Sequence, residues 1–208
     1  GLVGFTGFEK DEFAVAKGFV GKYAQLLKKC NQLMDEVAEE LEKISIKQVG
    51  WVRDGRSKKE LDLVTYVEYR FNKHNWEPTS TDQLEDGSVA IVELNFQNAM
   101  TYMGVIVNRQ TIYEENANWK VFLESLPSAN IWYKIIGEKV TKAESKEDFL
   151  DKVEETRDDK ILETVRIDYM IESKELGELG VVGISNFIRR CLEYLEQHNL
   201  FKLQAAPR

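Results

Sequence analysis

The chain has little that marks a particular chemistry. Only 2 of its 208 residues are cysteine, only 2 are histidine and only 3 are proline. The two cysteines, Cys30 and Cys191, form neither a CxxC pair nor a disulfide framework, and both sit among apolar helical positions. They are expected to be reduced thiols in a cytosolic protein. His74 and His198 belong to no HxH, HExxH or Cys/His cluster, which leaves no zinc signature. No apolar run approaches the roughly 20 residues of a membrane span. Residues 1–8 are apolar but lack a basic n-region and a cleavage pattern, so a cytoplasmic location and no membrane partner are expected. There is no GxSxG elbow. Gly1, Gly4 and Gly7 do not have the spacing of a dinucleotide or phosphate loop. No cofactor is expected.

What is present fits one ordinary globular domain. Hydrophobic residues make up 43% and charged residues 31%. A chain of this length buries roughly 70% of its unfolded surface, enough for a core without covalent staples. The net charge of −8 makes this an acidic protein. It disfavours non-specific binding to nucleic acid, which depends on neutralising phosphate, and it suits a basic partner.

Periodicity supplies the elements. Thr6-Gly7-Phe8-Glu9 has capping-box spacing, and a short helix is expected through about Ala16 before Gly18 and Gly21 weaken it. From Phe19 an apolar stripe runs through Tyr23, Leu26, Cys30, Leu33, Val37, Leu41 and Ile44. It predicts an amphipathic helix of about 25 residues, able to pack on a sheet or to pair with a second copy in a homodimer. Residues 50–60 read as a polar turn. Leu61 to Phe71 alternates as a strand, and Asn72 to Gly87 reads as a long loop. Residues 88–107 predict a hairpin joined at Gln97-Asn98-Ala99. A helix over about 117–126 stops at Pro127. A strand covers 131–136, and Ser145-x-x-Asp148 opens a charged helix to about Thr156. Val165 to Ile171 alternates as a fifth strand, and Ile184 to Leu195 marks a last amphipathic helix. Residues 137–160 carry six positive and nine negative side chains and read as a solvated face.

The fold class is therefore α+β: a mixed or mainly antiparallel sheet of about five strands packed against amphipathic helices. We read residues 1–208 as one domain. Its helical part covers about 6–46, its sheet about 60–172 and its C-terminal helix about 184–199.

Two surfaces attract attention. Trp51 stands beside the basic turn of Arg53, Arg56, Lys58 and Lys59, and Trp76 lies in the long loop with Lys73 and His74. Such groups touch phosphate or stack on bases. If the tryptophans line a concave sheet face with Tyr66 and Tyr102, they form a small-molecule pocket. Trp132 is predicted to face opposite to Ile131 and Tyr133, and Trp119 to lie in the core.

Phe5-Thr6-Gly7-Phe8-Glu9-Lys10-Asp11-Glu12-Phe13-Ala14-Val15 resembles the opening of the YktB-like family of small bacterial proteins of unknown function, whose pattern is F-T-G-F-x-x-acid-acid-F-x-V. The resemblance implies a bacterial protein and carries over no site residue. The family's central basic His-Ala-Arg-Arg-Thr-Val-Asn stretch has no counterpart here.

The leading expectation is a non-enzymatic bacterial or phage binding domain whose partner is a protein or a small ligand. A nucleic-acid-recognition module of a defence or restriction system is the alternative, resting on the basic turn. A carboxylate–metal hydrolase using Asp62 and Glu93 is the third, although Asn95 stands where such a nuclease core would carry lysine.

Overall fold

A computed structural model describes residues 4, 5, 7–55, 64–73 and 87–201. The elements run α1 (Glu12–Glu42), β1 (Ile46–Gly55), β2 (Val64–Lys73), β3 (Ser88–Asn95), β4 (Met100–Asn108), α2 (Arg109–Ile112), α3 (Trp119–Glu124), β5 (Asn130–Ile135), β6 (Thr141–Lys142), α4 (Lys146–Glu155), β7 (Leu162–Glu172), a 3₁₀ turn (Ser173–Glu175) and α5 (Leu176–Gln197). The fold is α+β. Its sheet has the order β1-β2-β3-β4-β7-β5-β6, and every pairing is antiparallel. There are seven strands among the described residues rather than about five. No helix among the described residues is long and apolar enough to cross a membrane.

The expected alternation sorts the strands into two faces. Val67, Tyr69 and Phe71 of β2 point with Ala90, Val92 and Leu94 of β3, with Met103, Val105 and Val107 of β4, and with Val165 and Ile167 of β7. The helices cover this face. Met34, Val37 and Leu41 of α1 and Ile184, Ile188 and Leu195 of α5 are wholly buried there. Trp119 is in the core as expected, with its Nε1 donating to the Ile112 carbonyl at 2.9 Å and its ring edge-on to Phe149 at 5.0 Å. Ser145 caps α4 by accepting from the Asp148 N–H at 3.1 Å. In the β3–β4 hairpin, Asn95 Oδ1 accepts from the N–H groups of Gln97 and Asn98, and Ala99 takes a positive φ of 58°.

Three expectations are corrected. The first helix is one continuous element of 31 residues, not a short helix followed by a long one. Gly18 and Gly21 each cost a helix about 1 kcal/mol relative to alanine, which is less than nucleating a second helix. The C-terminal half of α1 packs on the domain, whereas Phe13, Phe19 and Val20 of its first half are exposed. Residues 50–55, read as a turn, complete β1, so the sheet starts at Ile46 rather than near 60. A register shift between Gln48 and Gly50 breaks the alternation that would reveal this strand. The last helix starts at Leu176, eight residues before Ile184. It is kinked at Gly180, whose φ of 62° and ψ of −176° suit only glycine. The charged stretch read as a solvated face is mostly exposed and carries the two-residue β6. Thr6 of the capping box and residues His74 to Asp86 of the long loop lie outside the described residues.

Gly104 of β4 sets the shape of the sheet. A Cβ built there would stand 1.9 Å from the Ile167 carbonyl oxygen and 2.7 Å from Asp168 Cα, so the β4 and β7 backbones approach too closely for any side chain. We predict that Gly104→Ala lowers stability by about 3 kcal/mol, the overpacking range. Urea unfolding measures this, and an unchanged midpoint would deny the close approach.

Two core groups predict an alkaline response. Burial pushes the Tyr69 hydroxyl and the Cys191 thiol each up to about 12, and burial also raises half-buried Cys30. In the unfolded chain the Tyr69 and Cys191 groups ionise near 10 and 9. The folded state therefore holds protons that the unfolded state releases. Their contribution is fully present below pH 9 and is lost as pH rises toward about 12. Unfolding midpoints measured from pH 8 to pH 11 are expected to fall, and less steeply in Cys191→Ala.

Candidate functional site

The second face of the sheet carries no helix among the described residues, yet several of its side chains are out of solvent. Val89 and Ile91 of β3 form a small apolar cluster with Val49 and Ile106. Beside it lies a set of charges. Register places Glu68 of β2 across from Glu93 of β3, and Glu93 across from Tyr102 of β4. The next row is Arg70, Ile91, Gly104 and Asp168, and Ile106, Arg166, Trp132 and Lys142 form another.

Arg166 binds these rows together. Its Nε donates to Asp168 Oδ2 at 2.8 Å, and its Nη1 donates to Glu93 Oε1 at 2.9 Å and Glu68 Oε1 at 3.2 Å. Glu68 Oε2 accepts from Arg70 Nε at 2.8 Å, so this carboxylate bridges two guanidinium groups. The Arg166 guanidinium also lies 5.6 Å from the centre of the Tyr102 ring, and Asn98 Nδ2 donates to the Tyr102 hydroxyl at 2.9 Å. The cluster is deeply set: Glu68 is 4% exposed, Glu93 8% and Asp168 1%. Burial works against the charge of Arg166, but Glu93, Asp168 and Glu68 outweigh it and hold its pKa above the ordinary arginine value.

The Arg166–Glu68 contact also reports curvature. The two residues are three strands apart and offset by four residues along the strand. In a flat sheet with strands about 4.8 Å apart and residues about 3.4 Å apart, their backbones would be about 20 Å from each other. An arginine and a glutamate do not span that distance. The sheet curls with this face inside, and Gly104 lies where β4 and β7 close up.

The curl leaves a cleft of about 420 Å³. Arg70, Glu93, Arg166 and Asp168 line one end of it with Tyr102. Trp132, Tyr133 and Val140 line it from the β5–β6 side, and Ile106, Asn108 and Thr164 complete it. Asp168 Oδ1 is buried and accepts no hydrogen bond from the described residues. Lys142 Nζ lies 5.6 Å from the centre of the Trp132 ring.

The residues singled out in the sequence fare unevenly. Trp51 and Arg53 stand on the edge strand β1, paired with Tyr69 and Val67 of β2. Arg56, Lys58, Lys59 and Trp76 lie outside the described residues, as do Asp62 and His74. The expected pocket shares Tyr102 with the observed cleft, which Trp132 also lines. Glu93, considered as a metal ligand, instead accepts from Arg166. Among the described residues, no group of three or more His, Cys, Asp or Glu is arranged to hold a metal ion. Sequence reasoning missed Glu68, Arg70, Arg166 and Asp168. Their signal was the spacing: Glu-x-Arg on one strand and Arg-x-Asp on another put charges in pairs on the face opposite the core.

No protein-family model, curated protein or solved structure matches the chain.

Removing the cation from such a cluster strands its carboxylates. Arg166→Met is expected to cost about 3–5 kcal/mol, the range for breaking a buried ion pair from one side. Chemical denaturation reads this directly, and a loss below about 1 kcal/mol would place the cluster with ordinary surface pairs.

Proposed function

We propose that the protein is a non-enzymatic binding domain that takes a small ligand in the cleft on the concave face of its sheet, the face that no helix among the described residues covers. The cleft itself carries this reading. It combines aromatic and aliphatic walls with a few fixed polar groups, the composition of small-molecule sites. Its polar groups are held by one another before any ligand arrives, which is the preorganisation that binding rewards.

Two features favour binding over catalysis. Both oxygens of Glu68 and one oxygen each of Glu93 and Asp168 are engaged by arginine rather than by a nucleophile or a water-activating base. Cys191 is buried with its thiol pushed up to about 12, the opposite of an activated nucleophile. The cleft also gives little support to nucleic-acid recognition, because a phosphate entering it meets Glu93 and Asp168 beside Arg70 and Arg166, and both arginines already donate to carboxylates.

A thermal-shift screen of metabolites, divalent metals, nucleotides and short DNA and RNA tests the proposal. A ligand present at a hundredfold excess over its Kd stabilises the native state by about 2.7 kcal/mol. We expect a small organic molecule to produce a shift that is lost in Val140→Trp, which fills the cleft from a side chain that is 61% exposed. Shifts from nucleic acid alone, or shifts unaffected by Val140→Trp, would remove the cleft from the function.

A further inference from the structure

Resting on the cleft reading above, we infer that the ligand is an organic cation: an ammonium or amidinium group carried on a compact apolar or aromatic body. Three observations lead there. The first is charge. Three carboxylates, from Glu68, Glu93 and Asp168, face two guanidinium groups, from Arg70 and Arg166, so the cluster holds one formal negative charge in excess. The lining charges balance, Glu93 and Asp168 against Arg70 and Arg166, and Glu68, paired to both arginines, adds the excess negative charge. A cation restores neutrality in a site where water screens poorly.

The second is hydrogen-bonding capacity. Asp168 is 1% exposed, lines the cleft and leaves Oδ1 without a donor among the described residues. Leaving a buried carboxylate oxygen unpaired is costly, and native proteins seldom do so without reason. Glu93, also on the cleft, uses only Oε1 toward Arg166. Glu93 is the acceptor that meets the cleft directly, while Asp168 Oδ1 is out of contact with solvent and adds its negative charge; an ammonium or amidinium group is a donor only.

The third is the aromatic wall. Trp132 and Tyr102 each already have a cation of the protein over the ring, Lys142 and Arg166 respectively, both at 5.6 Å. The geometry shows that these rings accept a cation over them, and a ligand cation would compete with Lys142 and Arg166 for that place. Ile106 and Val140 supply the apolar surface that the body of such a ligand would cover.

Three probes of one shape test the charge class: benzylamine, benzyl alcohol and benzoate, titrated into the full chain and followed by ligand-observed NMR and calorimetry. Benzylamine is expected to bind and benzoate not to. Glu93→Gln should weaken benzylamine about tenfold, the scale of one charge-assisted hydrogen bond. Glu93→Gln also touches the Arg166 cluster and could disturb folding. Val140→Lys and Val140→Glu therefore serve as a second pair at an exposed position: the first should weaken benzylamine and the second strengthen it. Benzoate or benzyl alcohol binding as well as benzylamine, or equal benzylamine affinity in the two Val140 variants, would overturn the inference and leave the cleft reading standing. No binding by any of the three probes would also overturn it. The cleft reading falls separately, if the broader screen yields no shift that Val140→Trp abolishes.

Discussion

The guanidinium of Arg166 is the interaction on which the sheet face opposite the apolar core depends. It stands on β7 and reaches Asp168 on its own strand, Glu93 on β3 and Glu68 on β2. Those contacts join strands that are not neighbours, and they exist only because the sheet is curled. Curl and cluster support each other. The curl brings the carboxylates of β2 and β3 within range of Arg166, and the cluster resists flattening, because flattening would break the Arg166 contacts to Glu93 and Glu68 and leave buried Glu93 without a cation. Gly104 permits the close approach of β4 and β7 beneath it. The cleft is what the curl encloses, so its shape and its charge have a common origin.

The helix-covered face obeys simpler rules. Its residues meet by apolar contact, and the same contacts raise the pKa of Tyr69 and Cys191 by shutting out water. One face of a single sheet thus forms a dry core and the other a polar recess. The strict alternation of side chains lets each strand serve both. On β2, Val67, Tyr69 and Phe71 belong to the core while Glu68 and Arg70 belong to the recess. A one-residue slip of β2 would send its charges into the helices and its aromatics into the cleft, so the apolar pattern also keeps the charged cluster in register.

Where local physics decides, the chain was legible. The β3–β4 hairpin, the β7 strand, the Ser145 cap and the core positions of Trp119 and Val37 follow from alternation, helical period and capping chemistry. Where a local rule is interrupted, it was not. β1 hides behind its register shift, β6 is too short to show a period, and α5 begins in a glycine-rich turn. The site was legible only in fragments. Tyr102 and Trp132 could be placed on the face opposite the core. The partnership of Glu68, Glu93, Arg166 and Asp168 could not, because it joins residues up to 98 positions apart.

By itself, then, the amino-acid order determined most of the elements, their core-facing positions and that the class is α+β, since these depend on neighbours a few residues away. The tertiary structure alone decided that charges on β2, β3 and β7 share one recess, that arginine rather than solvent partners the carboxylates, and that a cleft lies beside them. Those outcomes depend on strand order and sheet curvature. Both are set by the packing of the whole sheet, and neither leaves a mark at any single position along the chain.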